Sequence, residues 1–432
     1  MALHPRHDRV PATEGGSPQP VALDGVRVVD FTERLQGPLC TQTLGDLGAD
    51  VIKVERLEVL TPEGNPVERY RTDSGGGYDL DLYNASFLSL NRNKRSIAVD
   101  LKSEVGLDVV RRLVAMSDVV CENFRPGVMD RLGLGYEACT VLNPSIVYAS
   151  ASGYGEDGPY SARRGQDILA QAIGGMGALN AGVDRHPMAV GFPVADVLGG
   201  MNGALAIMAA LIYRGRTGEG QHVFVNLLDS VVAAQAEEAV LYLNSAAGEP
   251  SRETPAHAHP YIPPPYGFYA TRDGFIALPS GQQLSELCTI LGIDDLKADP
   301  RFANSRERNR YRREFERLIE DALATKTAAE WVELLIDNDV YAARVNSMGD
   351  AFDDPQVRWN DMVVEMEAPG GTLRMVGSPL RLAKTPARVR SAPPLLGQQT
   401  LEVLRMAGYQ DDEIASMLES GAVAAEPSAQ PE

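Results

Sequence analysis

Cysteine is scarce in this chain, and its spacing argues against two classes of site. The 432 residues include four cysteines, Cys40, Cys121, Cys139 and Cys288. No two of them have the CxxC spacing of a redox or zinc motif, and none stands with histidines at metal-ligand spacing. The cysteines therefore indicate reduced thiols in the cytosol, and we expect no metal site.

Positive charge is also in short supply. Lys and Arg number 40 against 59 Asp and Glu, which gives a net charge of −19. A strongly acidic surface does not match a nucleic-acid backbone, so we expect no nucleic-acid partner. A local cluster of Arg and Lys can still bind a phosphorylated cofactor.

Long hydrophobic runs are missing as well. Residues 1–21 are polar and lack the apolar core of a signal peptide. The longest apolar run, Val197 to Tyr213, is short and glycine-rich for a transmembrane helix. We expect a cytoplasmic protein with no membrane partner. Residues 1–22 and 421–432 have the composition of disordered tails.

Strand and helix patterns alternate from Gly25 onward. Apolar strand patterns occur at 26–31, 51–55, 96–101, 118–123, 146–152 and 222–227. Helical periodicity occurs at 38–47, 106–116, 168–176, 197–213 and 229–244. This alternation predicts an α/β fold with a doubly wound, mostly parallel, Rossmann-like sheet in a large domain at 23–225.

The pattern changes near Gly248. A linker rich in Pro and His at 249–265 precedes a predicted hairpin at 267–278 and helices at 285–291, 306–324 and 328–336. These predict a smaller α+β domain at 226–340, and we expect His257 and His259 of the linker to be solvated. A C-terminal segment at 341–420, with a second hairpin turning at Gly370-Gly371, is expected to return to the large domain.

One glycine motif is misleading. Gly153-Tyr-Gly155-Glu-Asp-Gly158 fits GxGxxG and follows a predicted strand. However, Glu156 and Asp157 would lie where a pyrophosphate should bind, Pro159 follows, and no helix is predicted to begin there. We therefore expect neither NAD nor flavin.

Asp196 is the most informative residue of the chain. It stands directly before an apolar, glycine-rich run that predicts a buried helix, so it falls at the N-cap or in the first turn. The helix dipole and free N–H groups stabilise a carboxylate there. From the local sequence alone, a plain N-cap and a functional carboxylate are both open.

An ordered set of segments resembles the family III CoA-transferases, which include formyl-CoA:oxalate and carnitine CoA-transferases. The segments are 25–32 with Gly37-Pro38, 47–55, 91–97 with Asp100-Leu101, 122–127, Leu132-Gly133, Asn143-Pro144, 152–155, 165–167, 191–203, 217–221 and 393–397. The match runs in order from about Gly25 to Leu418. Each piece is short, and the order makes the set specific.

The resemblance implies that Asp196 is a nucleophile. Its carboxylate would attack the thioester carbonyl of an acyl-CoA to form a mixed anhydride, and CoA thiolate would then form an aspartyl-CoA thioester. An acceptor carboxylate would repeat the steps in reverse. We expect the helix N–H groups to stabilise the oxyanion and the following glycines to admit the substrate closely.

The resemblance also implies a set of CoA-binding residues. They are Arg34 and Leu35 near the first βα turn, Arg56, Val99, Asp100, Leu101, Lys102, Asn123, Phe124, Arg125 and Arg131. Arg and Lys suit phosphate by charge and geometry. The alternative for each cation is a solvated surface charge, and for Phe124 it is ordinary packing. The substrates would be an acyl-CoA and a small carboxylic acid, without metal or redox cofactor, and the assembly an interlocked homodimer.

Two departures argue against oxalate or formate as substrates. Leu35 stands where formyl-CoA transferase has glutamine. The small domain also lacks the run of four glycines that covers the intermediates in that enzyme.

Two other functions remain open. An α-methylacyl-CoA racemase would use Asp167 with a histidine, but the second base expected near Glu137 is missing, since no histidine lies between His7 and His186. In the transferases an acidic residue at position 167 contributes to the site, and its structural alternative is an N-cap for the helix from Ile168. A non-catalytic acyl-CoA-binding protein is the third possibility, against which the carboxylate at 196 argues.

Overall fold

The computed structural model describes residues 21–58, 68–72, 77–245, 248–279 and 283–426. They form two compact units. The first contains the residues up to Ser152, Gly199–Val225 and those from Asp361 onward; the second contains Gly153–Leu198 and Asn226–Asn360. This partition differs from the predicted boundaries at 225 and 340, which stay a prediction.

The strands are β1 Arg27–Asp30, β2 Asp50–Glu55, β3 Lys94–Val99, β4 Val119–Glu122, β5 Val147–Ser152, β6 Gln221–Asn226, β7 Gly267–Ala270, β8 Phe275–Leu278, β9 Ala343–Arg344, β10 Val363–Ala368, β11 Gly371–Val376 and β12 Val423–Ala424.

The α-helices are α1 Gln36–Asp46, α2 Leu82–Leu90, α3 Glu104–Ala115, α4 Val128–Arg131, α5 Tyr136–Leu142, α6 Asp167–Ile173, α7 Met176–Leu179, α8 Val194–Thr217, α9 Leu227–Ala234, α10 Ala236–Asn244, α11 Leu284–Leu291, α12 Ser305–Arg310, α13 Arg312–Leu323, α14 Ala328–Asp337, α15 Met348–Asp353, α16 Pro355–Trp359, α17 Thr400–Met406 and α18 Asp411–Glu419.

The first unit is built on a seven-stranded sheet in the order β12-β3-β2-β1-β4-β5-β6. Strands β3, β2, β1, β4 and β5 are mutually parallel neighbours, so the prediction of a mostly parallel sheet is confirmed. The chain adds β2 and β3 on one side of β1 and then crosses to add β4 on the other. The carboxyl ends of β1 and β4 therefore flank a topological switch point, where open α/β sheets bind ligands.

Helices cover both faces of this sheet. Val28 packs in a core with α1 and α8, while its neighbour Val29 packs in a second core with α3, α17 and α18. Successive strand residues point to opposite faces, which is why two adjacent valines can belong to two cores. The doubly wound arrangement is thereby in place.

Helix α8 buries one face against the sheet through Ala204, Ile207 and Ala210, each at most 2% exposed. Among the described residues it is also the one helix long and apolar enough to cross a membrane. A core helix of a soluble protein passes the same test of length and composition, so this is weak evidence for a membrane span.

The predicted C-terminal tail is wrong for residues 421–426. Val423 and Ala424 form β12, which pairs antiparallel with Val99 and Ala98 of β3. Val423 is 2% exposed, and the carbonyl of Ala422 accepts a hydrogen bond from the N–H of Asp100 at 2.9 Å. Burial of the valine stabilises this ordered end. The remaining tail residues, 1–20 and 427–432, lie outside the described part.

The second unit contains an antiparallel sheet of β7, β8 and β9 packed with α11, α13 and α14. Trp331 is 2% exposed there and donates from Nε1 to the carbonyl of Leu323 at 2.7 Å. Both predicted hairpins are confirmed, since β7 pairs with β8 and, in the first unit, β10 pairs with β11 around Gly370.

Candidate active site

Asp196 is the third residue of α8 and lies in its first turn, as predicted. Its side chain is half-buried. The apolar run after it belongs to one continuous helix of 24 residues, which places the carboxylate on a rigid element.

Asp167 lies against the same helix end. It is the first residue of α6, and its Oδ1 accepts hydrogen bonds from the backbone N–H groups of Ala195 at 2.7 Å and Asp196 at 3.3 Å. The first N–H groups of a helix have no acceptor within the helix, so a carboxylate in this position caps it. The alternative interpretation of Asp167 as the cap of its own helix is wrong, because Asp167 caps α8.

The first four N–H groups of α8 all have acceptors. The N–H of Val194 donates to the carbonyl of Phe192 at 2.7 Å, and that of Val197 donates to Pro193 at 3.1 Å. Asp167 takes the two between them. These bonds occupy the N–H groups that were expected to bind a developing oxyanion, and that role stays a prediction.

Gln171 is a site residue that sequence reasoning missed. Its Nε2 donates to Asp167 Oδ2 at 2.6 Å, and its Oε1 accepts from the N–H of Val190 at 3.0 Å. The side chain is 1% exposed. The spacing of four residues between Asp167 and Gln171 was the available signal, since Gln and Asp at i and i+4 meet on a helix surface.

The glycines that follow Asp196 serve packing. A Cβ built on Gly200 would lie 2.7 Å from the backbone oxygen of Gln36, and one on Gly203 would lie 3.2 Å from Cys40 Sγ. These positions let α1 approach α8 closely within the first unit. The expectation that the glycines admit the substrate finds no support in these contacts.

The glycines of the GxGxxG segment also allow a close crossing. A Cβ built on Gly165 would lie 2.4 Å from the Cα of Gly153, so neither position accepts a side chain. No helix begins between residues 153 and 166, all of which are described, and α6 starts only at Asp167. The segment lacks the helix that a dinucleotide motif requires.

Several predicted CoA-binding residues converge beside the switch point. Asn123, which follows β4, accepts from the N–H of Glu33 at 2.8 Å and donates to its carbonyl at 2.7 Å. Arg56, which follows β2, is ion-paired with Glu33 Oε1 at 3.0 Å. Arg34 is exposed and has a φ of 69°, a left-handed conformation that is uncommon outside glycine. Such conformations cluster at ligand sites.

The other predicted CoA-binding residues are more dispersed. Val99 is the last residue of β3, two strands from β1, and Asp100, Leu101 and Lys102 follow it. Val99 is 1% exposed and belongs to the core. Phe124 is half-buried and packs against the same core, which agrees with the alternative that it serves ordinary packing. Leu35 is also half-buried.

Three cations of this set are exposed: Lys102, Arg125 and Arg131. Among the described residues, neither Arg125 nor Arg131 forms an ion pair. Their charges are therefore available to an anion.

A cavity of about 230 Å³ opens beside Arg34 and Arg56 in the first unit. Lys53, Arg69 and Glu55 contribute to its lining. Three of the four cations named here are supported by other groups: Arg56 by Glu33, Arg69 by Glu55, and Lys53 by the carbonyl of Thr32 at 2.7 Å.

A buried charge network supports the first βα turn. Asp30 accepts from Thr32 and Thr41 and is ion-paired with Lys94 at 3.0 Å, with both charged side chains fully buried. Burial alone would raise the pKa of Asp30, but the charges of Lys94 and Lys53 and the hydrogen bonds from Thr32 outweigh it and lower the pKa to about 2. The carboxylate is therefore ionised at neutral pH and holds the turn that carries Glu33 and Arg34.

The histidines are more buried than the sequence predicts. His257 is 3% exposed, and His259 Nε2 lies 2.7 Å from Glu238 Oε1, so the expectation that both are solvated is wrong. His222 lies 2.8 Å from Ser150 Oγ and stacks on Tyr136. Burial lowers the pKa of both His222 and His257 to about 4, which makes both rings neutral at pH 7.

All four cysteines are buried free thiols. Within the described residues, no group of three or more His, Cys, Asp and Glu side chains is arranged to hold a metal ion.

Comparison with known proteins gives consistent matches. The profile of CoA-transferase family III matches residues 23–400. A succinyl-CoA:glutarate CoA-transferase of Mus musculus is 36% identical over 405 residues, covering 93% of this chain and 90% of that protein. A succinate–glutarate CoA-transferase of Agrobacterium fabrum is 38% identical over 389 residues, covering 88% and 94%. The crystal structure of a CAIB/BAIF family protein from Brucella suis superimposes with a TM-score of 0.76 at 34% identity, covering 90% of this chain and 100% of that chain.

Proposed function

This chain belongs to CoA-transferase family III and is an enzyme acting on acyl-CoA thioesters and carboxylates, and from that premise we propose that Asp196 is its nucleophile. The observation that carries the proposal is the position of Asp196 in the first turn of α8, where two N–H groups are held by Asp167. A half-buried carboxylate on a rigid helix can attack with a defined geometry.

The proposed reaction has four steps. A carboxylate oxygen of Asp196 attacks the thioester carbonyl, and the C–S bond breaks. CoA departs as a thiolate, and the acyl group stays on Asp196 as a mixed anhydride. The thiolate attacks the aspartyl carbonyl and releases the donor acid, which leaves an aspartyl-CoA thioester. The acceptor carboxylate attacks this thioester, and the thiolate released then attacks the acceptor's acyl carbonyl, which frees Asp196. No proton, metal or redox group is consumed in this cycle.

Asp167 serves this proposal as a helix cap. Its two oxygens already receive three hydrogen bonds, from Ala195, Asp196 and Gln171. A racemase base must accept a proton from the α-carbon of the substrate, and a carboxylate committed to three donors is a poor base. Racemase chemistry on Asp167 is therefore the weaker alternative.

For the substrates, we propose short dicarboxylic acids and their CoA thioesters. The two relatives reported above are named for succinyl-CoA or succinate and for glutarate. For CoA itself, we propose that the residues beside the switch point hold it, with Arg125, Arg131 and Lys102 as cations for its phosphates. Their exposure supports this assignment.

We propose a homodimer, interlocked as the resemblance implies. In the first unit, α8 exposes Met201, Leu205 and Ile212, which are 59%, 64% and 64% exposed, on the side away from its buried face. In the second unit, Leu243 of α10 is 75% exposed. An exposed apolar face such as that of α8 is typical of a protein interface. A monomer in sedimentation equilibrium would contradict the proposal. We also propose a cytosolic location, which the reduced thiols suit.

The decisive experiment is mass spectrometry of the protein incubated with a panel of acyl-CoAs and trapped with hydroxylamine or borohydride. We expect a mass change on the peptide containing Asp196 in the wild type and none in Asp196→Asn. An adduct on another residue would contradict the assignment. Deuterium exchange at the α-carbon of a 2-methylacyl-CoA without any adduct would favour the racemase.

A further inference from the structure

We propose that Gln171 is a positioning residue for Asp196, acting through Asp167 and through the segment that leads into α8. The proposal rests on the nucleophilic role of Asp196. The side-chain amide of Gln171 bonds to Asp167 and Val190, so it would act on Asp196 through these neighbours.

The first argument is that Gln171 uses both ends of its amide. The NH2 group donates to Asp167 Oδ2 at 2.6 Å, and the oxygen accepts from the N–H of Val190 at 3.0 Å. A carboxylate only accepts and a backbone N–H only donates, so these partners admit a single orientation of the amide. At 1% exposure, water does not compete for either bond.

The second argument concerns the rotation of the Asp167 side chain. A carboxylate alone can turn about its terminal torsion, which has a broad energy profile. With Oδ2 held by Gln171, Oδ1 faces the N–H groups of Ala195 and Asp196. A hydrogen bond to an ionised carboxylate is about twice as strong as one between neutral groups, so this orientation is well defined.

The third argument concerns the chain before α8. Val190 lies four residues before the start of the helix at Val194, and Gln171 holds its N–H. Asn180 adds two longer hydrogen bonds, at 3.4 Å, to the carbonyls of Met188 and Ala189. One buried amide thus ties both the cap of α8 and the segment that precedes it to α6, and these two ties set where Asp196 stands.

The chemistry of the site calls for an amide at position 171. Glutamate there would place a second acidic group against Asp167 Oδ2, and the contact would be favourable only while the pair shares a proton. Methionine would fill the same volume and make neither bond. The two substitutions therefore separate loss of the bonds from a change of charge.

The test uses Gln171→Met and Gln171→Glu, with Gln235→Met as the matched control. Gln235 also lies in the second unit, and its amide donates to the carbonyls of Gly174, at the end of α6, and Val231 at 2.8 and 3.0 Å. We expect both methionine variants to lose a similar amount of thermal stability. Only Gln171→Met should lower kcat, by about 10- to 100-fold, with little change in KM, because a displacement of about 1 Å costs up to about 100-fold.

A pH profile separates positioning from simple support of the fold. Relative to the wild type, kcat of Gln171→Glu should rise as the pH falls, because a shared proton restores the donor to Asp167. If Gln171→Glu shows the wild-type profile, or if Gln171→Met keeps kcat within about twofold of Gln235→Met, the proposal is overturned.

Hydrogen exchange of the backbone amides gives a readout that does not depend on activity. The amides of Val190, Ala195 and Asp196 should exchange faster in Gln171→Met than in the wild type or Gln235→Met. Unchanged exchange would overturn the proposal. If the wild type forms no adduct on Asp196, the proposed nucleophile fails, and exchange alone then decides whether Gln171 orders this helix end.

Discussion

The Oδ1 atom of Asp167 lies 3.3 Å from the backbone nitrogen of Asp196, so two aspartates lie at one helix end. Asp167 caps the N-terminus of α8 by accepting hydrogen bonds from the N–H groups of Ala195 and Asp196. A carboxylate in the first turn of a rigid helix suits the role proposed for Asp196.

The capping bonds of Asp167 predict that its substitution lowers both the stability of the protein and kcat, and that a control variant separates the two effects. We expect Asp167→Ala to lower the free energy of unfolding by about 1 kcal/mol and to lower kcat, because α8 loses the acceptor at the turn that carries Asp196. Asp354→Ala is the control, since Asp354 caps α16 by accepting from Gln356 and Val357. Urea unfolding and steady-state kinetics should show equal stability losses and a kcat loss at Asp167 alone. An equal loss of kcat in both variants would contradict the prediction.

Replacing two glycines of α8 by alanine should change the stability of the protein in opposite directions. Gly200→Ala should destabilise the protein by about 1–3 kcal/mol, because its Cβ would press on the backbone oxygen of Gln36. Gly215→Ala meets nothing within 4 Å and should stabilise by about 0.5–1 kcal/mol through helix propensity. Thermal and urea unfolding measure both changes. Equal effects of the two substitutions would show that α1 does not pack against Gly200 this closely.

The buried histidines predict a loss of stability in mild acid. His222 and His257 have folded-state pKa values near 4 and an ordinary value of 6.5, both shifted mainly by burial. Between these values the unfolded chain binds more protons than the folded one, so stability falls as the pH drops from about 6.5 towards 4.

The measurement is urea unfolding at pH 7 and pH 4.5 for the wild type and for His222→Gln/His257→Gln. We expect the double variant to lose less stability between the two pH values. The same loss in both proteins would mean that other groups govern this window.

The exposed arginines predict a binding effect. Arg131→Ala should raise KM for an acyl-CoA by about 10-fold with kcat little changed, because a hydrogen bond to a charged group contributes about 1.5–3 kcal/mol. Arg317→Ala removes an exposed arginine, ion-paired with Asp321, in the second unit and is the control. The effect should shrink at high salt. An unchanged KM would leave Arg131 as a solvated charge.

Much of the fold follows from hydrophobic pattern, because strands β1, β2, β4 and β5 are short segments whose apolar residues are mostly buried. Three long helical patterns are broken in the structure, at Gly174-Gly175, Gln235 and Tyr311. Periodicity alone does not reveal such breaks, since apolar residues on both sides keep the same spacing. Strand β12 was missed because two residues form a strand only when β3 lies beside them.

The site was predictable to a different degree. Asp196 and its place in the first turn follow from the sequence and the family resemblance. The hydrogen bond that the N–H of Asp196 donates to Asp167 joins residues 29 positions apart in the sequence. The contacts of the α8 glycines with α1 join residues more than 160 positions apart. Contacts over such separations depend on tertiary packing, which is why the sequence did not reveal that Asp167 caps α8 or that the glycines pack against α1.

The two-residue strand β12 has a consequence for association between molecules. It pairs with Val99 and Ala98 at the carboxyl end of β3 and is the last strand on that side of the sheet. Long uncovered edges pair with strands of other chains and lead to aggregation, whereas very short edge strands give little template for such pairing. We therefore expect Ala422, Val423 and Ala424, which cover the carboxyl end of β3, to disfavour edge-to-edge pairing of two molecules there.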